Sequence, residues 1–150
     1  MQLVIFSLQD KCYGIPSEVV EEITGAVEWT QVPQTPDWIM GLINLRGNVI
    51  SLIHLENFLN FDRKDIRQEN ICYNNTVIIK NGKEKTAFAV DKVQEVIDID
   101  ESLIQLASES DSFIQGIYSQ KDTAISLISL SMLFQRMRDP LESSFIATRN

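Results

Sequence analysis

Short runs of branched and aromatic apolar residues, separated by turn residues, dominate the pattern along this chain. Leu3 to Leu8 and Thr76 to Lys80 are two such runs, and each predicts a strand. Asn81-Gly82 follows the second run and predicts a type I′ hairpin leading into a strand at Thr86 to Val90. The pattern therefore predicts a mainly β protein with a few short helices.

The most apolar hairpin is expected in the first half of the chain. Gly47-Asn48 fits a type II′ turn, which would connect a strand at Gly41 to Leu45 with a strand at Val49 to Leu55. Because both segments are apolar on both faces, we expect these strands in the centre of the fold.

Two segments show the spacing of apolar residues that is typical of helices. Val19, Val20 and Ile23 predict a short first helix. A second helix is predicted before Pro140, with apolar residues at i, i+3, i+4 and i+7. These residues are Leu130, Leu133, Phe134 and Met137.

The chain repeats itself once, at an offset of 75 positions, which is half its length. Residues 38–59 lie over residues 113–134 without a gap. At the same offset Tyr13-Gly14-Ile15 lies over Phe88-Ala89-Val90, and one gap later Val20 to Ile23 lies over Gln94 to Ile97. The identical pairs are Ile39/Ile114, Gly41/Gly116, Ile50/Ile125, Ser51/Ser126, Leu52/Leu127, Ile53/Ile128 and Leu55/Leu130. Composition alone does not explain an offset shared by separate blocks, so we infer an internal duplication.

The duplication predicts one domain, residues 1–150, made of two small β-barrel subdomains. Residues 13–60 would form most of the first subdomain and residues 76–137 most of the second. The N-terminal strand and the C-terminal helix are candidates for crossing between them. Residues 60–75 are predicted to link the halves, and residues 139–150 to form a loosely held tail.

Composition and charge limit the classes of partner that the protein can bind. A formal net charge of -8, with no run of three adjacent Lys or Arg, argues against a protein that binds nucleic acid or the surface of an anionic membrane. No apolar stretch approaches the roughly 20 residues that span a bilayer, and no secretory leader is recognisable. Cys12 and Cys72 are most simply free thiols in a reducing cytoplasm; a disulfide between them is the weaker alternative.

The usual signs of an active or metal site are missing from the sequence. His54 is the single histidine and lies near the end of a predicted strand, where local hydrogen bonding is a better explanation than catalysis. Asp98 to Glu101 lacks the glycine and the closing Glu of a calcium loop. No phosphate-binding or nucleophile motif is present. We therefore expect no enzyme, no metal and no cofactor.

The segment Asn44-Leu45-Arg46-Gly47 allows two interpretations. Lys121-Asp122 holds the corresponding place in the second repeat, so a polar tip is expected at any solvated hairpin of this kind. In the functional interpretation, Arg46 forms bidentate pairs with carboxylates of a partner while its stem covers apolar surface. An arginine in this position is typical of interface anchors.

The segment Gly41 to Leu55 resembles the signature of the CheW family. It runs G-L-I-N-L-R-G-N-V-I-S-L-I-H-L, against roughly G-x-x-N-L-R-G-x-V-I-P-V-I-D-L in the family. Tyr13 to Ile23 is similar to the family's second strand and first helix, Val32-Pro33 with Pro36 to its V-P-x-x-P stretch, and Phe88 to Val93 to its F-x-V-D-x-V. The resemblance covers the chain from Met1 to about Met137.

The resemblance implies two five-stranded, SH3-like β-barrels with a groove between them. It also implies a non-enzymatic chemotaxis adaptor in the cytoplasm, at membrane-associated receptor arrays. Its partners would be the regulatory domain of a CheA-type histidine kinase and the signalling tip of a chemoreceptor. By resemblance, Arg46 and its neighbours in the turn are coupling positions, together with residues of the predicted first helix. These residues are Asn44, Leu45, Arg46 and Gly47, and then Val19, Val20, Glu22 and Ile23.

The chain departs from the family signature at two positions, and two other functions are compatible with the sequence. Ser51 and His54 stand where the family has Pro and Asp, so a carboxylate that would steady the Arg46 hairpin is missing. A CheW-like adaptor of a type IV pilus (twitching) array would carry the same motifs. From a different class, a β-barrel that binds a small ligand or nucleic acid is the alternative.

Overall fold

The computed structural model describes residues 1–59, 73–106 and 113–137, and strands dominate this part of the chain. The strands are β1 (Gln2–Leu8), β2 (Lys11–Pro16), β3 (Val20–Gly25), β4 (Ile39–Leu45), β5 (Asn48–His54), β6 (Asn75–Asn81), β7 (Glu84–Val90), β8 (Lys92–Asp98), β9 (Gln105–Leu106), β10 (Ile114–Gln120) and β11 (Thr123–Ile128). Helix α1 spans Leu55–Leu59, and helix α2 covers residues 130–137. Two 3-10 helices lie at Ser17–Val19 and Glu101–Leu103. The predicted mainly β class is confirmed.

The strands form two sheets of matching order. The six-stranded sheet has the order β8-β1-β2-β11-β10-β9, and the five-stranded sheet the order β3-β6-β7-β5-β4. Each sheet contains one parallel pair, β2 with β11 and β5 with β7, and its other pairs are antiparallel.

The strand registers bear out the duplication. In β4 against β5 the register shifts between Ile39 and Gly41, and in β10 against β11 it shifts between Ile114 and Gly116, 75 positions later. The parallel pairs also correspond, because Leu52 lies opposite Ala87 and Leu127 lies opposite Gly14. The two sheets are therefore two copies of one arrangement.

The repeats exchange their first hairpins. The β1–β2 hairpin pairs with β8 and β11, which follow it by more than half the chain, and the β6–β7 hairpin pairs with β3 and β5. Strand pairing therefore crosses the predicted link at residues 60–75, since residues 75–90 lie in the sheet of residues 20–54. Sequence similarity shows which strands are equivalent, but not which copy each one pairs with.

The exchanged hairpins correspond at an offset of 73 rather than 75 positions. Gly14 and Ala87 occupy equivalent places beside the parallel strands, and Tyr13 is consequently equivalent to Thr86. Residue 22 of β3 and residue 95 of β8, both Glu, are likewise equivalent, because they pair with Ile78 and Ile5. The alignments of Tyr13 with Phe88 and of Val20 with Gln94 were thus displaced by two positions and by one.

The main core lies between the two sheets. Phe6 and Ile15 of the six-stranded sheet meet Ile53 and Phe88 of the five-stranded sheet there, all nearly inaccessible to solvent. The helices close the ends of this core: the Phe58 ring of α1 packs edge-on against Trp38 at 4.8 Å between centroids, and Leu133 of α2 is fully buried. Burial of these side chains is the main source of stability.

Strand β4 is an edge of its sheet, not a central strand as its apolar sequence predicted. The preceding segment covers this edge instead: the Thr30 N–H donates to the Leu42 carbonyl at 2.8 Å, and the Leu42 N–H donates back at 2.9 Å. Gly41 is required at this crossing, because a Cβ atom there would lie 2.2 Å from the Thr30 carbonyl oxygen. Such a cover protects an edge strand from pairing with other chains.

The hairpins form where the sequence predicted them, but with different central residues. The β4–β5 ladder runs to Leu45 opposite Asn48, so the turn residues are Arg46 and Gly47, at φ 54° and 86°. Positive φ at both positions is the type I′ pattern. In the β6–β7 turn the central residues are Gly82 and Lys83, and the positive φ of 65° at Gly82 fits type II′ instead.

The predicted first helix is wrong. Val19 ends a 3-10 helix and Val20 begins β3, which bulges before Glu22. The bulge places Val20 and Ile23, which pair with Ile79 and Val77, on the same face of the strand although they are three residues apart, and so interrupts the alternation that would have indicated a strand. The second predicted helix is confirmed as α2.

Some expectations fall outside the described residues, namely the tail at 139–150, the stop at Pro140 and most of the link at 60–75. Cys12 is a free, half-exposed thiol, and Cys72 lies in the part that is not described. Among residues 1–59, 73–106 and 113–137, no helix is long and apolar enough to cross a membrane.

Candidate functional site

Arg46 lies at the tip of the β4–β5 hairpin, and its backbone is fixed from two sides. Positive φ at Arg46 and Gly47 turns the chain within two residues. The Asn44 side-chain oxygen accepts a hydrogen bond from the Gly47 N–H at 3.0 Å and closes the turn. Leu45 is half-buried and packs against the apolar cluster of the five-stranded sheet, which anchors the base of the hairpin.

The Arg46 side chain reaches across to β3. Its Nη2 donates to Glu22 Oε1 at 2.6 Å, although β3 and β4 are opposite ends of the five-stranded sheet. The sheet must therefore curl until its two ends approach each other. The Arg46 side chain is 76% exposed and Glu22 24%, so the guanidinium is oriented while it remains accessible to a partner.

This ion pair contributes little to folding. Exposed pairs stabilise by about 0 to 1 kcal/mol, because water screens the charges and both side chains lose rotamer freedom. Its main consequence is positional: it holds a planar five-donor group at one place on the surface.

The candidates around β3 separate into two groups. Val19 and Val20 are partly buried and pack against the core between the sheets, so they act as packing residues here. Ile23 pairs with Val77 and so lies on the same face of β3 as Val20, but it is 39% exposed. Only Glu22 of the four is brought to Arg46, and Ile23 offers apolar surface on the opposite side of the strand.

A second ion pair lies beside the first and was not predicted. Lys85 Nζ of β7 lies 3.1 Å from Glu21 Oε2, with both side chains about one-third exposed. Glu21 is the residue displaced by the bulge, next to Glu22. Adjacent Glu21 and Glu22 in an apolar segment were a sequence signal for a charged edge, but their partners on β7 and at the β4–β5 turn required the sheet order.

The second repeat lacks the Arg46 arrangement. Lys121 occupies the equivalent turn position, with φ 50°, and Glu95 is the counterpart of Glu22. Within the described residues neither Lys121 nor Glu95 forms a salt bridge. The oriented cation is thus a feature of one repeat, not of the fold.

A carboxylate at position 54 would not lie beside the Arg46 turn, contrary to expectation. His54 lies at the far end of β5, where its Nδ1 accepts the Asn57 N–H at 3.2 Å and caps α1. Its counterpart Ser129 has the same role, since the Ser129 hydroxyl oxygen lies 3.4 Å from the Met132 N–H. Arg46 is held by Glu22, so a carboxylate at position 54 is not needed there.

His54 has the local hydrogen bonding that its place near a strand end predicted. Burial lowers its pKa, while the charge of Asp91 and the side chain of Asn57 act in the opposite direction. A neutral imidazole is the form that can accept the α1 N–H.

The acidic segment after β8 is a cap. Asp100 accepts from the Ser102 N–H at 3.0 Å and from the Ser102 hydroxyl at 2.7 Å at the start of the Glu101–Leu103 helix. These bonds lower the pKa of Asp100. The described residues contain no group of three His, Cys, Asp or Glu side chains that could hold a metal ion.

The comparisons with known proteins agree with this geometry. The family model of the CheW-like domain matches residues 2–138. The chain belongs to the CheW-like domain family. It is 27% identical over 140 residues to the chemotaxis protein CheW of Helicobacter pylori, covering 91% of this chain and 82% of the relative. It is 29% identical over 140 residues to CheW of Klebsiella aerogenes, covering 88% and 80%.

A solved structure supports the same assignment. The crystal structure of the scaffolding protein TtCheW from Thermoanaerobacter tengcongensis matches with a TM-score of 0.74 and 32% identity, over 89% of this chain and 86% of that one. The expected resemblance to the CheW family is thereby confirmed over nearly the whole chain, and with it the β architecture of two subdomains.

Proposed function

We propose that this chain is a chemotaxis scaffold that couples the regulatory domain of a CheA-type histidine kinase to the signalling tips of chemoreceptors. Membership of the CheW-like family and the naming of its relatives as chemotaxis and scaffolding proteins support this function. The protein acts by binding rather than by turnover, at receptor arrays on the cytoplasmic side of the membrane.

The observation that carries the proposal is the oriented, exposed Arg46. A solvent-accessible guanidinium on a chain of net charge -8 is suited to carboxylates of a partner. Exposed Val49, 67% accessible on the adjacent strand, supplies apolar surface next to it. Such a patch fits a modest interface, of the order of 1,200 Å² or less in total, which multivalency in an array would reinforce.

The test is a charge reversal with a matched control in the other repeat. Arg46→Glu should reduce the amount of chain that sediments with receptor-containing vesicles and kinase by about tenfold or more, which corresponds to losing an interface anchor. Kinase phosphorylation in the ternary mixture should fall in parallel. Lys121→Glu changes charge equally at the equivalent turn position and should leave both readouts unchanged.

Circular dichroism and thermal unfolding provide the folding control. Both variants should unfold within a few degrees of the parent, since each lies at an exposed turn. Equal loss of coupling in both variants would show a general charge effect, and normal coupling by Arg46→Glu would refute the role of Arg46. Failure of the parent chain to bind either partner would refute the proposed function itself.

A further inference from the structure

Two adjacent glutamates of β3 form ion pairs with cations of two different elements. Glu22 Oε1 accepts from Arg46 Nη2 of the β4–β5 turn at 2.6 Å. Glu21 Oε2 lies 3.1 Å from Lys85 Nζ of β7. Because adjacent residues of a regular strand point to opposite faces of a sheet, the face that each glutamate presents depends on the bulge in β3.

The bulge decides which glutamate meets Arg46. The ladder between β3 and β6 passes from Val20 to Glu22 while β6 advances by one residue. Glu21 is the extra residue, and Glu22 stands opposite Ile78. Without the bulge, Glu21 would take the place opposite Ile78 and Glu22 would point to the other face of the sheet. A loss of the bulge would therefore give Arg46 a different glutamate.

Lys85 lies on the same face of the five-stranded sheet as Glu22. Ile78, the partner of Glu22, pairs with Ala87 of β7, and Lys85 is two residues before Ala87. This face carries an apolar cluster of its own, separate from the core between the sheets. The carboxylates of Glu21 and Glu22 therefore both reach cations at this face, which the alternation of a regular strand disfavours.

Lys85 requires a negative charge beside it. Its cross-strand partner on β6 is Lys80, and like charges directly opposite each other destabilise a sheet. Glu21 supplies the negative charge, since its carboxylate lies against Lys85. Without the bulge, a single carboxylate at this face would have to serve both Arg46 and Lys85. The charge of Lys85 therefore favours the bulged arrangement.

We propose that Lys85 is a positioning residue for Arg46, acting through Glu21 and the bulge of β3. The Lys85–Glu21 pair fixes the bulge. The bulge presents Glu22 to the β4–β5 turn, and Glu22 orients the Arg46 guanidinium. When the Lys85 charge is removed, the bulge is free to shift and Arg46 can pair with either glutamate. The consequence for coupling rests on the proposed function, whereas the positioning of Arg46 does not.

The test measures the position of Arg46 and the coupling separately, on the full chain. Lys85→Gln removes the charge and should shift the NMR signals of the Arg46 guanidinium and of the amides of residues 20–24. Because an exposed ion pair changes an equilibrium by at most about fivefold, coupling to kinase and receptor should fall by about two- to fivefold. This loss is smaller than the one expected for Arg46→Glu. Lys85→Arg keeps the charge and should retain the parent values of both readouts.

Two further variants provide matched controls. Glu21→Gln should reproduce Lys85→Gln, and the double variant should be no worse than either single one, because all three remove the same pair. Lys83→Gln removes an equal charge in the turn of the same hairpin, from a residue that forms no salt bridge within the described part of the chain. It should leave both readouts unchanged. All variants should unfold within a few degrees of the parent.

The outcomes distinguish this inference from the proposed function. Unchanged Arg46 signals in Lys85→Gln would overturn the inference even if coupling falls, because Lys85 would then act by direct contact with a partner. Shifted signals with unchanged coupling would also overturn it, as would an equal effect of Lys83→Gln. If the parent chain binds neither partner, the proposed function fails, and the Arg46 signals alone decide whether Lys85 positions Arg46.

Discussion

Arg46 adopts a backbone conformation that side chains other than glycine avoid. Its φ of 54° lies in the left-handed region, which costs an L-residue about 1 to 2 kcal/mol. Gln9 and Lys121 share this conformation at the first position of their own hairpins, so two-residue hairpin geometry imposes it. The hairpin does not require arginine, however, and the exposed ion pair with Glu22 offsets at most part of the cost. Neither the hairpin geometry nor the ion pair accounts for an arginine at this position, which is consistent with the binding role proposed for it.

Two replacements at position 46 separate backbone strain from side-chain function. Arg46→Gly should be more stable than Arg46→Ala by about 1 kcal/mol, because both remove the ion pair but only glycine relieves the left-handed strain. Both variants should lose coupling to the same extent. Chemical denaturation measures the difference, and the pair Lys121→Gly and Lys121→Ala should reproduce it without any loss of coupling. An alanine variant as stable as the glycine variant would contradict the strain at this turn.

At this scale the sequence identified the turn but not its contacts. Asn44 to Gly47 stood out because the two repeats differ there and because the segment resembles the family signature. The partner of Arg46 could not be inferred, since Glu22 lies at the other end of the sheet and meets Arg46 only when the sheet curls. The role assigned to position 54 was also misplaced. Residue 54 and the turn at residues 46–47 are close in sequence, but they lie at opposite ends of strand β5.

At the level of elements, α1 depends on a histidine cap. The His54 Nδ1 accepts from the Asn57 N–H only when the imidazole is neutral, and burial lowers the pKa of His54 below its ordinary value of 6.5. In the unfolded chain His54 takes up a proton near pH 6.5, while the folded chain resists protonation. Stability should therefore be constant above this pH and fall as the pH decreases below it, by up to about 1.4 kcal/mol per pH unit until the folded state also protonates.

Denaturation by urea from pH 8 to pH 5 checks this expectation against a variant. His54→Asn keeps an oxygen that can cap α1 but has no proton to gain, so its stability should vary less with pH in this window. Because His54 is the single histidine, the difference between the two curves isolates its contribution. Parallel curves would show that His54 protonates equally well in both states.

Element types were predictable where the pattern was long and regular, and not where local geometry interrupted it. Helix α2 and the part of the β4–β5 hairpin after the register shift at Gly41 have regular patterns and were predicted. Strand β3 was mistaken for a helix, because a 3-10 turn before it and a bulge within it place Val19, Val20 and Ile23 at helical spacing. The spacing of apolar residues alone does not reveal a bulge of one residue.

For the whole molecule, the duplication was visible in the sequence while the exchange of hairpins was not. Identities at a constant offset identify equivalent strands, but β1 and β6 are equivalent and could in principle occupy either sheet. The difference of offset, 75 in one block and 73 in the hairpins, reflects separate loop lengths rather than separate origins. Pairing between repeats also explains why β2 and β7 are interior strands of their sheets, although their parallel neighbours are distant in sequence.

The exchanged hairpins predict that neither repeat folds alone. A fragment of residues 1–72 would carry β1 and β2 without β8 and β11, and β3 and β5 without β6 and β7, so both sheets would lose their central pairings. Each fragment alone should give the dispersion of an unfolded chain, whereas an equimolar mixture of residues 1–72 and 73–150 should form a 1:1 complex with native-like strand signals. Analytical ultracentrifugation and amide NMR would measure this. If either fragment is a folded monomer, the hairpin can return to its own repeat, and the position of Arg46 relative to the second repeat is no longer fixed by the fold.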